Sequence, residues 1–194
     1  MQESNARNPA GLIFVLGGAR SGKSAFAETL ARRSGRPVLY VATAQALDDE
    51  MKERIRQHRQ RRPTDWRTLE AHLQVGEAAR AAARPDELVL LDCLSLLVSN
   101  VILAVGEDVS VQEAQPRVES EVNSLLAFAQ AHPAPVIIVS NEVGLGGVSP
   151  YPVGRIYQDV LGWANQRVAA TATQVYWVVA GLPVELKKLA YVGM

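Results

Sequence analysis

The chain has 194 residues, 48% of them hydrophobic and 21% charged, enough to bury the core of one globular domain. Its 20 Lys plus Arg balance 20 Asp plus Glu, so no overall field favours nucleic acid or an acidic membrane, and no nucleic-acid partner is expected. A single cysteine, Cys93, excludes an intrachain disulfide framework and suits a cytoplasmic location; the polar residues 1–10 lack the apolar region of a signal peptide, and no apolar run reaches the roughly 20 residues of a membrane span.

Residues 1–10 read as a loose extension and 11–194 as a single domain. The apolar run 12–16 is expected to be a buried parallel strand. It leads into Gly17-Gly18-Ala19-Arg20-Ser21-Gly22-Lys23-Ser24, which completes the phosphate-binding pattern G-x-x-x-x-G-K-[ST], and then into a helix near 23–33. A strand at 38–42 and a helical stretch at 48–61 follow. Further helices are expected near 74–83, 93–104, 112–131 and 152–172, and further strands at 87–91, 135–140 and 174–180. The polar segment 105–116, ending in Pro116, reads as the longest loop, and Gly144 to Pro150 as a second. This alternation predicts an α/β fold, a mostly parallel sheet flanked by helices.

Glycines in the phosphate loop would let backbone N–H groups curl around phosphate oxygens at a helix N-terminus. Lys23 would reach the β/γ-phosphates and the Ser24 hydroxyl would ligate Mg²⁺. Leu88-Val89-Leu90-Leu91-Asp92 is four apolar residues ending in an acid; Asp92 can hold Mg²⁺ or cap the next helix. Residues 52–67 carry Lys52, Arg54, Arg56, Arg59, Arg61, Arg62 and Arg67 against Glu53 and Asp65. Within them Met51, Ile55 and His58 share one helix face, so His58 reads either as a core histidine or as a nucleophile kept neutral by its arginines. The arginines read either as a solvated face or as a phosphate site. Asn141 and Glu142 follow a strand end, where ligands bind in open α/β sheets, and read equally as substrate contacts or as a capped loop.

Together these segments resemble the bifunctional adenosylcobinamide kinase/adenosylcobinamide-phosphate guanylyltransferase family of cobalamin synthesis, from about residue 12 to residue 187. The resemblance rests on GGARSGKS, YVATA at 40–44, DDEMKERIRQHRQRRP at 48–63, DWRTLE at 65–70, LLDCLSLLVSN at 90–100, NEVGLG at 141–146 and GWANQ at 162–166. It implies a RecA-like P-loop fold and two reactions. In one, a nucleoside triphosphate (ATP or GTP) phosphorylates adenosylcobinamide. In the other, a histidine matching His58 takes GMP from GTP and passes it to adenosylcobinamide phosphate. It also implies guanine-nucleotide contacts from the phosphate loop, Ala42, Thr43, Ala44, Arg59, Gln60, Arg61, Arg62, Glu70 and Asp92. A homo-oligomer, a trimer with the histidine helix near a subunit boundary, is implied as well. The chain departs from the family at Tyr157-Gln158-Asp159, at Thr173 and at Gly147 to Pro150, in the third where corrinoid or subunit contacts are expected. Two other readings compete: a P-loop kinase of another small hydroxylated substrate with a structural His58, and a nucleotide-gated nucleic-acid binder. The latter is weakened by the balanced charge and the few aromatics near the arginines.

Overall fold

The first strand, β1 (Leu12–Gly17), shows why the sheet must be covered twice, since all six of its residues are buried. Successive side chains of a strand point to opposite faces: Leu12, Phe14 and Leu16 enter one core, Ile13 and Val15 the other. The computed structural model describes residues 11–190 apart from 47, 48, 50, 51, 54, 55, 57, 58, 61, 107 and 108. After β1 come α1 (Lys23–Arg33), β2 (Val38–Ala42), β3 (Arg67–Glu70), α2 (Val75–Ala82) and β4 (Leu88–Asp92). Then follow α3 (Leu94–Val105), α4 (Val111–Ala131), β5 (Val136–Asn141), a 3₁₀ turn (Gly144–Gly146), α5 (Pro152–Thr171), β6 (Gln174–Val179), β7 (Leu182–Glu185) and α6 (Leu186–Leu189).

Among the described residues the sheet runs β3-β2-β4-β5-β1-β6-β7. Every neighbouring pair is parallel except β6 and β7. Ala27 and Ala31 of α1 cover the Ile13/Val15 face, and residues of α2, α3, α4 and α5 cover the other. Two covered faces are the usual condition of a parallel sheet, and they explain the unbroken apolar runs of β1, β4 and β5. The carboxyl ends of β1, β2, β4 and β5 share one rim, with β5 alone separating β1 from β4.

Two strands escape apolar-run reading. Strand β3 has only Leu69 half-buried, because edge strands carry charge rather than apolar alternation. Strand β7 returns through Ala180 and Gly181, both at positive φ (51° and 81°), the geometry of a tight two-residue hairpin. The expected loop 105–116 is also shorter than its composition suggests: α4 begins at Val111, with Pro116 inside it. The start is fixed by Ser110, whose backbone N–H and hydroxyl donate to Glu113 Oε2 at 3.0 and 2.6 Å. Buried Val118, Val122, Leu125 and Leu126 then outweigh the one hydrogen bond that a proline early in a helix forfeits.

Tertiary pins hold the β3 side. The Arg67 guanidinium donates to both Glu87 oxygens at 2.7 Å, with Glu87 1% exposed. The Glu121 carboxylate on α4 accepts from the backbone N–H of Gln74 and Val75 at 2.9 and 2.6 Å, capping α2 from another element. There Gly76 permits a close helix crossing, since a Cβ would lie 2.5 Å from the Ser124 backbone.

Candidate nucleotide site

The phosphate loop is shaped by its glycines. A Cβ on Gly17 would lie 2.4 Å from Ser21 Oγ and 2.6 Å from the Val178 carbonyl. Gly22, the residue before α1, sits at φ 95°, a conformation that favours glycine. Backbone bonds from Ser21 N–H to the Gly18 carbonyl (3.2 Å) and from Phe26 N–H to the Gly22 carbonyl (3.0 Å) close the turn onto the helix. Lys23 is buried, with Nζ donating to the Gly18 carbonyl at 3.2 Å. Ser24 lies in the first turn of α1 and is half-buried. The loop is braced from outside by the β6–β7 turn, where Gly181 N–H donates to the Ser21 carbonyl at 2.8 Å.

Asp92 ends β4 opposite Ala42 of β2. It does not cap α3, whose N-cap is Cys93; its Oδ2 instead accepts from the Tyr40 hydroxyl at 2.7 Å. Burial, reinforced by the adjacent Asp92 charge, holds the Tyr40 hydroxyl far above the ordinary phenol range, so it stays a donor. Beside it Cys93 is buried, and burial with the Asp92 charge pushes its thiol up to about 11.

The Tyr40 ring itself meets an arginine of the basic segment. Arg62 Cζ sits 3.3 Å from the Tyr40 ring centroid. Arg59 is paired with Glu70. Together with Pro63, Thr64, Trp66 and Thr68, these two arginines and Glu70 line a cavity of about 420 Å³. Arg59, Arg62, Glu70 and Asp92 are thereby brought to one end of the sheet. Gln60 is helical and exposed. His58 and Arg61, with Met51, Arg54 and Ile55, lie outside the described residues.

Thr43 is spent inside the protein: its hydroxyl donates to the Cys93 carbonyl and accepts from the Cys93 N–H, both at 2.8 Å. Its carbonyl takes the Asn100 amide at 2.8 Å, and that amide also reaches the His72 carbonyl at 3.0 Å. The exits of β2, β3 and β4 are thus tied together, with Ala42 and Ala44 half-buried on either side. Asn141 ends β5 opposite Gly17. Its Oδ1 is buried without a hydrogen-bond partner among the described residues. Glu142 N–H donates to the Gly17 carbonyl at 3.1 Å, and its Oε1 accepts from Gly144 N–H at 2.6 Å. Both residues therefore border the phosphate loop. Thr173, by contrast, bonds the Leu12 carbonyl at the amino end of β1, across the sheet from this rim.

Sequence reasoning did not single out Tyr40, Trp66, Thr68 or Asn100 as site residues. Each lies within one of the contiguous motifs, but no contiguous motif shows that β2 packs beside β4.

The parallel sheet, its strand order and the loop after β1 are those of a RecA-like P-loop fold. An ATPase of a type III secretion system of pathogenic bacteria superposes with a TM-score of 0.56 at 14% identity, over 95% of this chain and 59% of that one, a likeness of fold alone. The chain belongs to the cobinamide kinase / cobinamide phosphate guanyltransferase family, whose family model matches residues 13–186. It is 43% identical over 181 residues to the bifunctional adenosylcobalamin biosynthesis protein CobU of Escherichia coli (strain K12), covering 91% of this chain and 99% of that one. It is 44% identical over 174 residues to the bifunctional protein CobP of Pseudomonas aeruginosa, covering 90% and 96%.

Proposed function

We propose that this chain phosphorylates the hydroxyl of adenosylcobinamide with a nucleoside triphosphate and then transfers GMP from GTP to the phosphate so formed. The observation that carries this reading is the placement of an arginine-lined cavity one side chain, Tyr40, away from Asp92 at the rim that bears the phosphate loop. Membership of the family supplies the substrate class. In the kinase step the acceptor oxygen bonds to the γ-phosphorus, the bridging bond to the nucleoside diphosphate breaks, and the hydroxyl proton leaves to solvent. Lys23 and the loop N–H groups would stabilise the charge on the transferring group. In the second step a lone pair of the neutral His58 imidazole attacks the α-phosphorus of GTP and pyrophosphate leaves. A phosphate oxygen of the phosphorylated corrinoid then displaces the imidazole from the GMP phosphorus. Arg59, Arg61 and Arg62 would neutralise the phosphates during this exchange, and Glu70 would hold Arg59 in place.

The donor set suits Mg²⁺: a hydroxyl on Ser24 and a carboxylate on Asp92, with Oδ2 committed to Tyr40 and Oδ1 left for a cation, complemented by phosphates and water. When bound, the ion would offset phosphate charge in both steps. The remaining expectations belong to the same reading: a single domain with residues 1–10 as an extension, a cytoplasmic homotrimer, and acceptor contacts from Asn141 and Glu142. Among the described residues no helix is long and apolar enough to cross a membrane. Incubation with α-labelled GTP tests the central claim: an acid-labile, base-stable adduct on His58 is expected, and its absence, or its appearance on His72 or His132, would overturn the mechanism.

A further inference from the structure

Tyr40 does more than fill the core. A phenylalanine would occupy the same buried space, yet this ring carries a hydroxyl whose partner is the Asp92 carboxylate, at 2.7 Å. One face of the ring is covered by Arg62 at 3.3 Å. Arg62 Nε is buried and has no hydrogen-bond partner among the described residues, so the ring, not a carboxylate, sets the plane of that guanidinium. A cation over an aromatic face is held most firmly where water is excluded. Meanwhile β2 and β4 pair in register, Tyr40 opposite Leu90 and Ala42 opposite Asp92, so the strand pairing itself fixes the ring relative to the carboxylate.

We propose that Tyr40 is a positioning residue that orients the cation-side carboxylate with its hydroxyl and the anion-binding guanidinium with its ring. Both parts of a bound nucleoside triphosphate, its metal-neutralised phosphates and the phosphate facing the arginines, are then registered by one side chain. The donated bond removes one acceptor of Asp92 and fixes its rotamer, presenting Oδ1 in a single direction, as outer-shell partners do for ligating carboxylates. The proposal rests on the reading of Asp92 as the cation-side carboxylate.

The test measures binding rather than turnover, using the full chain and a labelled α,β-methylene analogue of GTP, which cannot release pyrophosphate to His58, in equilibrium dialysis with EDTA and across a Mg²⁺ titration. Tyr40→Phe keeps the ring and deletes the donor. It should need about five- to tenfold more Mg²⁺ for half-maximal enhancement of analogue binding, with metal-free affinity within about twofold of wild type. Tyr40→Leu should in addition weaken metal-free binding about tenfold, Arg62→Ala should do the same, and the double variant should be no weaker than either alone. If Tyr40→Leu does not fold, Tyr40→Met replaces it. A merely structural Tyr40 would lower the melting temperature and leave the Mg²⁺ midpoint where it is. An unshifted midpoint in Tyr40→Phe, where Asp92→Asn does shift it, overturns the hydroxyl's role alone. An unshifted midpoint in Asp92→Asn removes the reading of Asp92, and the proposal with it. Additive losses in the double variant overturn the ring's role.

Discussion

Lys23 Nζ rests on the Gly18 carbonyl at 3.2 Å, a bond that an arriving triphosphate would exchange for its own oxygens. Lys23→Ala should leave the fold intact and lower the kinase rate at least about 100-fold, because on the proposed reading the lost charge would have acted on the transferring phosphoryl group. Unchanged turnover in the purified variant would remove the assignment. His58→Ala should abolish guanylyl transfer and the GMP adduct while cobinamide phosphorylation persists, since direct transfer to a hydroxyl needs no protein nucleophile; assaying the two half-reactions separately checks this. Cys93 offers a third residue-level outcome. Its thiol, raised to about 11 by burial and the Asp92 charge, should stay unalkylated by iodoacetamide at pH 8 in the folded chain and react on unfolding, as mass spectrometry would show.

At the scale of elements, edge strand β3 depends on Arg67 and Glu87. Burial alone would raise the Glu87 pKa, but the Arg67 hydrogen bonds and the Arg84 N–H outweigh it and hold the carboxyl below its ordinary value. A folded-state pKa below the unfolded one contributes stability that is complete above the unfolded pKa of about 4.3 and is lost as pH falls through the folded value. Glu87→Gln should therefore cost about 1–3 kcal/mol at pH 7, discounted because Arg67 is 41% exposed. The gap from wild type should narrow as pH falls below about 4.3 in chemical denaturation. These elements also separate what a linear reading can reach from what it cannot. Strands β1, β4 and β5 announce themselves because both faces are buried, and the phosphate loop because its pattern is contiguous. Strand β3 is short, polar and peripheral, and its place comes from Glu87, twenty residues on. Pro116 misleads about α4 because Ser110 and Glu113 set the start of the helix ahead of it. Tyr40 is hidden for a related reason: its chemistry comes from Asp92, brought by the β2–β4 pairing, and from Arg62, far along the chain.

Across the whole molecule, the site is assembled from segments far apart in the chain. Strand β1 sits between β5 and β6, and the phosphate loop's Ser21 carbonyl is held by Gly181, 160 residues later. A Cβ on Gly22 would come within 3.1 Å of the Gly181 Cα, so the two backbones meet with almost no space between them. Time enters here. Synthesis delivers about 5–20 residues per second, so a ribosome that has completed GGARSGKS still needs several seconds to make the hairpin that braces it. If the loop takes its shape from that hairpin, a nascent chain holds the whole motif through that interval without binding nucleotide, and nucleotide should not act as a template for early folding. Chains arrested on the ribosome with residues 1–172 exposed should therefore fail to crosslink photoactivatable GTP, whereas chains exposing residues through 190 should label; labelling of the shorter chains would show that the loop needs no such brace.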